Sequence, residues 1–327
     1  MSTPLNIGIV GLGVMGQRML ERIEAHPRLR AAGVWDADVA ALGRTLAARP
    51  ALRAADNAEQ LIATPGLHGL YIATPPAAHL ALSEAAFDVG LAVLCEKPLT
   101  VDFEAARRCI ERIGREGLRA AVNFSLASSP GLQALQQACG AGAHGLGRLQ
   151  QVDIELAFTA WPRPWQAAAG PWLAQRVEGG FAREVLSHFI FVLQRVLGPA
   201  SVLASTVDYP GDGLGAETAL QARLLAGGVP VSIDGRVDAA LAPADHNRMR
   251  WQGSDGAIEL REWFGLSRRR GGQDWVAVGD AAAMRAAGQA AQLEQWVALI
   301  EGRAHALPGF AEALAVQQTI EDLLTGR

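Results

Sequence analysis

Cysteine is scarce in this chain, with only Cys95, Cys109 and Cys139 among its 327 residues. Their number is odd, their spacing is unpaired and no signal-peptide pattern precedes them, so a disulfide framework is excluded and a reducing cytoplasm is the expected compartment. Long apolar runs are missing too. The N-terminal run is only Ile7 to Val10, and none elsewhere reaches the roughly 18 residues that a membrane span requires, so neither a signal peptide nor a membrane partner is expected. Charge of one sign is also lacking, since 29 Lys and Arg against 33 Asp and Glu leave a net charge of -4. With its basic residues scattered, the chain does not carry the footprint of a nucleic-acid binder. The one dense basic run, Arg268 to Arg270, reads as a solvated edge or turn. Metal-ligand spacing is absent as well: there is no H-E-x-x-H and the seven histidines are dispersed, so no metal site is expected.

Half of the residues are apolar, and 327 residues exceed what one core usually organises, so two domains are expected, 1–121 and 122–327. Five short apolar runs punctuate the first: Asn6 to Val10, Ala32 to Trp35, Gly69 to Ala73, Ala92 to Cys95 and Ala120 to Phe124. Runs apolar on both faces suit a parallel sheet covered by helices. Between them Met15 to Ala25, Ala37 to Ala48, Pro76 to Val89 and Asp102 to Glu116 have the composition and length of crossover helices. This alternation predicts an α/β fold with a doubly wound parallel sheet that binds ligands at the carboxyl ends of its strands. The later part is less regular. Gly- and Pro-rich patches at Gly140 to Gly147, Trp161 to Trp172 and Gly211 to Gly215 separate Leu149 to Phe158, Leu220 to Leu225 and Val231 to Val237, whose alternation suits antiparallel strands with one covered face.

The strongest local motif is Gly11-Leu12-Gly13-Val14-Met15-Gly16, which follows the first strand and opens the first helix. Gly11 permits the tight turn, Gly13 lets backbone amides approach a pyrophosphate, and Gly16 lets the helix pack against the strand. Asp36, at the end of the second strand, can accept hydrogen bonds from a ribose. With Asp38 nearby and no basic residue directly after it, a 2'-phosphate would meet like charge, so NAD is expected over NADP, although Arg44 could still reach the site.

Two segments fall where further strands of this sheet should end. Ala73-Thr74-Pro75-Pro76, with His79 one turn on, follows the third run, and Glu96-Lys97-Pro98 follows the fourth. A lysine at the end of a central strand points toward the nicotinamide end of a bound dinucleotide, and Pro98 fixes the chain there, a cis bond being one way to do so. An ion pair with Glu96 is the alternative use of Lys97. In the second part, Glu184 and His188 stand four apart in a helix-like stretch, Phe181 to Leu197, which places them on one face. A carboxylate beside an imidazole orients the ring and makes it a proton acceptor, and the alternative is an ordinary surface pair. Asp245-His246 is discounted as a dyad because neighbours on a strand point to opposite faces. Trp161, Trp165 and Trp172, with Arg163 among them, suit either an aromatic wall for a sugar or core packing. Asn123 suits either a substrate hydrogen bond or a cap.

The combination G-L-G-V-M-G, A-T-P-P-A-A-H at Ala73 to His79 and E-K-P at Glu96 to Pro98 resembles the signatures of the glucose-fructose oxidoreductase, inositol dehydrogenase and rhizopine-catabolism family. The likeness continues through Gly179-Gly180 with Glu184 and His188, the segment Gly253 to Leu260 that is similar to the family's G-x-x-G strand, and Phe310 to Gln318 that is similar to its C-terminal helix. The resemblance implies a Rossmann domain for NAD, with NADP possible, held by Gly11 to Gly16, Asp36, Ala73, Thr74, Pro75, His79, Glu96 and Lys97. It implies a second α/β domain with an open, mainly antiparallel sheet that binds substrate and forms a homodimer or homotetramer. Lys97, Glu184 and His188 are the catalytic residues carried over, with Asn123, Trp161 and Trp172 added as substrate contacts. Where the family usually has Asp, this chain has the longer Glu184. The implied activity is hydride transfer between the nicotinamide and a secondary alcohol or ketone of a sugar, cyclitol or related polyol. A nucleotide-binding sensor and an NAD-assisted, redox-neutral glycoside-cleaving enzyme are the alternatives.

Overall fold

Five short strands, β1 (Leu5–Val10), β2 (Leu29–Trp35), β3 (Gly69–Ile72), β4 (Ala92–Glu96) and β5 (Ala120–Asn123), pair in parallel in the order β2-β1-β3-β4-β5. They belong to a computed structural model that describes residues 3–140, 146–241 and 245–326. The helices between them are α1 (Val14–Ala25), α2 (Val39–Ala48), the short α3 (Ala58–Ile62), α4 (His79–Asp88) and α5 (Phe103–Glu116). Local chemistry sets their limits. Asp38 caps α2 through the Ala40 amide, and Asp102 caps α5 through the Glu104 and Ala105 amides. Gly117, at φ +65, stops α5 in the left-handed turn that a glycine adopts at least cost.

Contacts divide the chain into two units. The first is Met1–Phe124 with Gln292–Leu314, and the second is Ser125–Ala291 with Ala315–Arg327. A single cut after residue 121 therefore leaves 292–314 on the wrong side of the first unit's own contacts. That segment holds the end of α8 (Ala281–Ile300) and the start of α9 (Phe310–Thr325). Trp296, Val297 and Ile300 are buried in the same core as Ile7, Ile9, Tyr71, Leu94, Met19 and Ile23. Trp296 meets Tyr71 with ring centroids 6.1 Å apart, and the Val122 amide donates to the Pro308 carbonyl.

Among its described residues the second unit carries eight strands: β6 (Leu149–Phe158), β7 (Ala200–Asp208), β8 (Ala219–Ala226), β9 (Val229–Val237), β10 (His246–Gly253), β11 (Gly256–Arg261), β12 (Gly265–Arg270) and β13 (Val276–Ala277). They lie in the order β13-β12-β11-β10-β6-β9-β8-β7. Every pair is antiparallel except β6 with β9. Val152, Ile154, Leu156, Leu220, Leu224, Ile233, Met249 and Trp251 bury one face by strict alternation. Helices α6 (Pro130–Cys139) and α7 (Ser187–Leu197) belong to this unit, α6 capped by the Ser129 hydroxyl through the Leu132 amide. Two sequence expectations are adjusted. The stretch Gly253 to Leu260 is not one strand from end to end: it holds the last residue of β10, a reversal at Ser254-Asp255 and then most of β11. Arg268 to Arg270 is the end of strand β12 and not a turn: all three pair with β11, only Arg268 pairs with β13 as well, and Arg268 and Arg270 are exposed, as the solvated reading has it. Of the break at Gly140 to Gly147, residues 141–145 lie outside the described residues.

Candidate active site

In the first unit the strand order reverses between β1 and β3, where open α/β sheets bind ligands. The two loops at that point touch, and the contact is made possible by glycine. Gly11 has φ +93, and a Cβ there would lie 2.4 Å from the Ala73 carbonyl oxygen. At Gly16 a Cβ would lie 2.0 Å from the Gly11 oxygen. Gly13 instead faces open space and is exposed. Unlike α2, α5 and α6, α1 begins at Gly13 with no side-chain cap and no acid in its first turn. Its first amides and the positive end of its dipole are therefore available to an anion. Asp36 sits at the end of β2, accepting from the Leu12 amide on Oδ2 and from the Asp38 amide on Oδ1 at 2.7 Å. Arg44, the basic residue with a possible reach to this carboxylate, has its guanidinium 3.8 Å from Asp38.

Thr74 follows β3, and its buried hydroxyl has no hydrogen-bond partner among the described residues, as a polar group waiting for a ligand would. His79 is fully buried. Its Nε2 lies 2.8 Å from the Thr74 carbonyl oxygen and its Nδ1 lies 2.9 Å from that of Pro98, so the ring braces the two loops against each other. Burial holds its pKa below the usual histidine value. The Lys97-Pro98 bond is cis. Glu96 is 5% exposed, and its Oε1 accepts the Tyr71 hydroxyl and the Asn123 amide, the latter at 2.6 Å. Asn123, 2% exposed, also receives the Gln292 side-chain amide on its Oδ1. Tyr71, Glu96, Asn123 and Gln292 thus form a buried polar network at the end of β4, whose next residue is half-buried Lys97. Burial, then the Glu96 charge, keeps the Tyr71 phenol protonated well above its ordinary range.

The second unit presents Glu184 and His188. Their helix starts with a π-helical turn over Ala182–Leu186, in which the Ser187 amide reaches back to the Ala182 carbonyl, and continues as α7. The spacing of the two residues is therefore not that of a simple α-helix, and such one-turn bulges recur at functional sites. Glu184 is half-buried and His188 is 4% exposed. The preceding glycines are steric necessities: a Cβ on Gly179 would lie 2.3 Å from the Leu173 carbonyl oxygen, and one on Gly180 (φ +102) would lie 2.1 Å from Oε2 of Glu217.

Glu217 and Trp263 are neighbours of this segment that no motif flags. Glu217 is buried, and its Oε1 accepts the Ala182 amide at 2.7 Å, capping the helix from a remote loop. Its Oε2 has no partner among the described residues. Burial pushes the Glu217 carboxyl up to about 7, against the pull of the Ala182 amide and the Arg183 guanidinium. Trp263 lies edge-on to the His188 ring, with centroids 5.1 Å apart. A lone acid before a strand and a tryptophan in a charged hairpin carry no local signal of these contacts.

Trp161 packs against Phe158 and Phe181 and donates from Nε1 to the Leu173 carbonyl, while the Arg163 guanidinium lies over Trp161 and Trp165. Trp172 is half-buried. Asp245 accepts from the Thr159 amide and hydroxyl, whereas His246 Nε2 faces Glu155 at 3.3 Å, so these neighbours serve separate partners. Among the described residues no group of three or more His, Cys, Asp or Glu is arranged to hold a metal ion. Nor is any described helix long and apolar enough to cross a membrane.

A glycine turn at the switch point, an uncapped first helix and a carboxylate at the end of β2 define the first unit as a dinucleotide-binding Rossmann domain. Residues 5–124 match the model of an oxidoreductase family with an NAD-binding Rossmann fold, the family that the chain's motifs resemble. An uncharacterised oxidoreductase of Synechocystis is 27% identical over 208 residues, covering 63% of this chain and 55% of the relative. Inositol 2-dehydrogenase of Corynebacterium glutamicum is 32% identical over 112 residues, covering 34% of this chain and 33% of the relative. The matched parts thus span between a third and about half of those curated relatives. A solved structure of the WlbA dehydrogenase from Bordetella pertussis, in complex with NADH and UDP-GlcNAcA, shares the fold at TM-score 0.82 and 18% identity, covering 99% of this chain and 96% of that one.

Proposed function

We propose that this chain is an NAD(P)-dependent dehydrogenase or reductase acting on a secondary alcohol or ketone of a sugar, cyclitol or related polyol. The observation that carries the reading is the glycine cradle at the switch point of a sheet whose next strand but one delivers Lys97 at its carboxyl end, in a chain that also retains Glu184 and His188. The bound nicotinamide supplies or accepts the hydride. Amides at the start of α1 would hold the pyrophosphate and Asp36 the ribose, and the carboxylate next to Asp38 favours NAD over NADP. As a carbinol gives up hydride its hydroxyl proton must leave, and His188 is assigned that proton, with Glu184 orienting the imidazole. Lys97 stabilises the oxygen as alkoxide character develops. Glu96 and Asn123, whose polar atoms are engaged with each other, act by fixing the strand end that carries Lys97, and His79 acts by joining the loops on either side of it.

A sensor or a redox-neutral lyase would produce no net change in nicotinamide absorbance with any polyol. The test is therefore a panel of sugars, cyclitols and their keto forms, assayed separately with NAD(H) and NADP(H). Turnover with at least one member, faster with NAD(H), is expected. If calorimetry detects no association of the protein with either nucleotide, the reading fails at its base.

A further inference from the structure

We propose that Trp263 is a positioning residue for His188, its indole carried by a left-handed turn that Asn247 clamps and set edge-on against the imidazole. This rests on the reading of His188 as the proton acceptor. The turn joins β11 to β12, and two consecutive non-glycine residues in it, Glu262 (φ 45) and Trp263 (φ 71), have left-handed backbone. They are the only non-glycine residues among those described with positive φ. A hairpin normally places Gly, Asn or Asp at such positions, because a bulky side chain there is strained. Strain of this kind persists only where surrounding structure over-determines it, and it gathers at functional sites.

The over-determination is on β10. Asn247 is 5% exposed, and it holds the turn at three points. Its carbonyl accepts the Glu262 amide at 3.1 Å, its own amide donates to Oε1 of Glu262 at 3.2 Å, and its Oδ1 accepts the Trp263 amide at 3.0 Å. The product of this clamp is the placement of one ring. The Trp263 indole stands at 80° to the His188 imidazole, with centroids 5.1 Å apart, and tilts at 38° over Phe189 with centroids 5.7 Å apart. A ring on an sp³–sp² torsion has a broad preference of its own, so the direction of its nitrogens must be imposed by neighbours. An aromatic edge or face at this distance supplies such a preference. Simple core filling would not need a tryptophan at a position whose backbone resists it.

The test compares the full chain with Trp263→Leu, which keeps apolar bulk, and Trp263→Phe, which keeps a ring. The His188 ring resonances are assigned by nuclear magnetic resonance through their loss in His188→Gln, and turnover is measured on the polyol that the panel identifies. The leucine variant is expected to shift the His188 resonances and to lower kcat about tenfold with the KM for the nucleotide unchanged, and phenylalanine is expected to restore most of the rate. Unmoved His188 resonances or wild-type turnover in the leucine variant would overturn the proposal. Should that variant not fold, Trp263→Met, which also keeps apolar bulk without a ring, takes its place with the same supporting and overturning outcomes. A wild-type protein that turns over no polyol would sink the dehydrogenase reading, and the resonances alone would then settle whether the indole sets the ring.

Discussion

Glu217→Gln removes a buried titrating group without removing its cap, since an amide oxygen can still accept from the Ala182 amide. In the folded protein burial lifts this carboxyl from 4.5 to about 7. The folded state thus binds its proton more tightly than the unfolded chain does. The stability it contributes is fully present below pH 4.5 and is lost as pH rises through about 7. The whole loss amounts to about 3 kcal/mol. The groups that face it, Arg183, Glu321 and Tyr209, remain in the variant and cancel in the comparison. Urea unfolding of both proteins, followed by circular dichroism at intervals from about pH 5 to pH 8, reads the difference. Wild type should lose ground to the variant steadily up to about pH 7 and hold level above it. Two curves that stay parallel across the window would show that Glu217 does not take up its proton on folding, and the argument from burial would be refuted.

Asn123→Ala should cost roughly 3 kcal/mol, because it strips hydrogen bonds from a buried carboxylate and leaves the Gln292 amide without its acceptor. A loss below about 1 kcal/mol in urea unfolding, with KM for substrate raised instead, would favour a direct substrate contact. Gly11→Ala places a methyl group against the Ala73 carbonyl at a left-handed position and should weaken dinucleotide binding more than about tenfold. An unchanged Kd by calorimetry would count against the cradle. Lys97→Ala and His188→Ala should each lower kcat by about two to four orders of magnitude while nucleotide affinity stays near wild type. Undiminished turnover in either would remove that residue's assigned role.

What could be read from the sequence is what local sterics decide. Gly11 and Gly16 declare the turn after β1 because a Cβ at either would run into backbone, at Gly11 with a positive φ besides, and Asp102 and Gly117 delimit α5 by hydrogen bonding and handedness alone. The five strands of the first sheet fall within a few residues of their apolar runs for the same reason. Long-range pairing was not legible. The apolar pattern of 292–300 marks a helix but not the core that receives it, and β7, with mostly small and polar residues, lacks the density of apolar side chains that announces a strand. In the candidate site the residue types at Lys97, Glu184 and His188 stood out. The carboxylate that Gly180 makes room for and the indole that faces His188 come from segments whose own sequence gives no reason to look there.

The first unit is completed by a segment made almost three hundred residues after its first strand. On the ribosome, the sheet of β1 to β5 must wait with Tyr71 and Asn123 uncovered until Gln292 and Trp296 have been synthesised. A nascent chain stalled before that point would present an unfinished apolar surface to chaperones, so maturation of this domain is tied to the synthesis of that distant segment and not to its own first 124 residues.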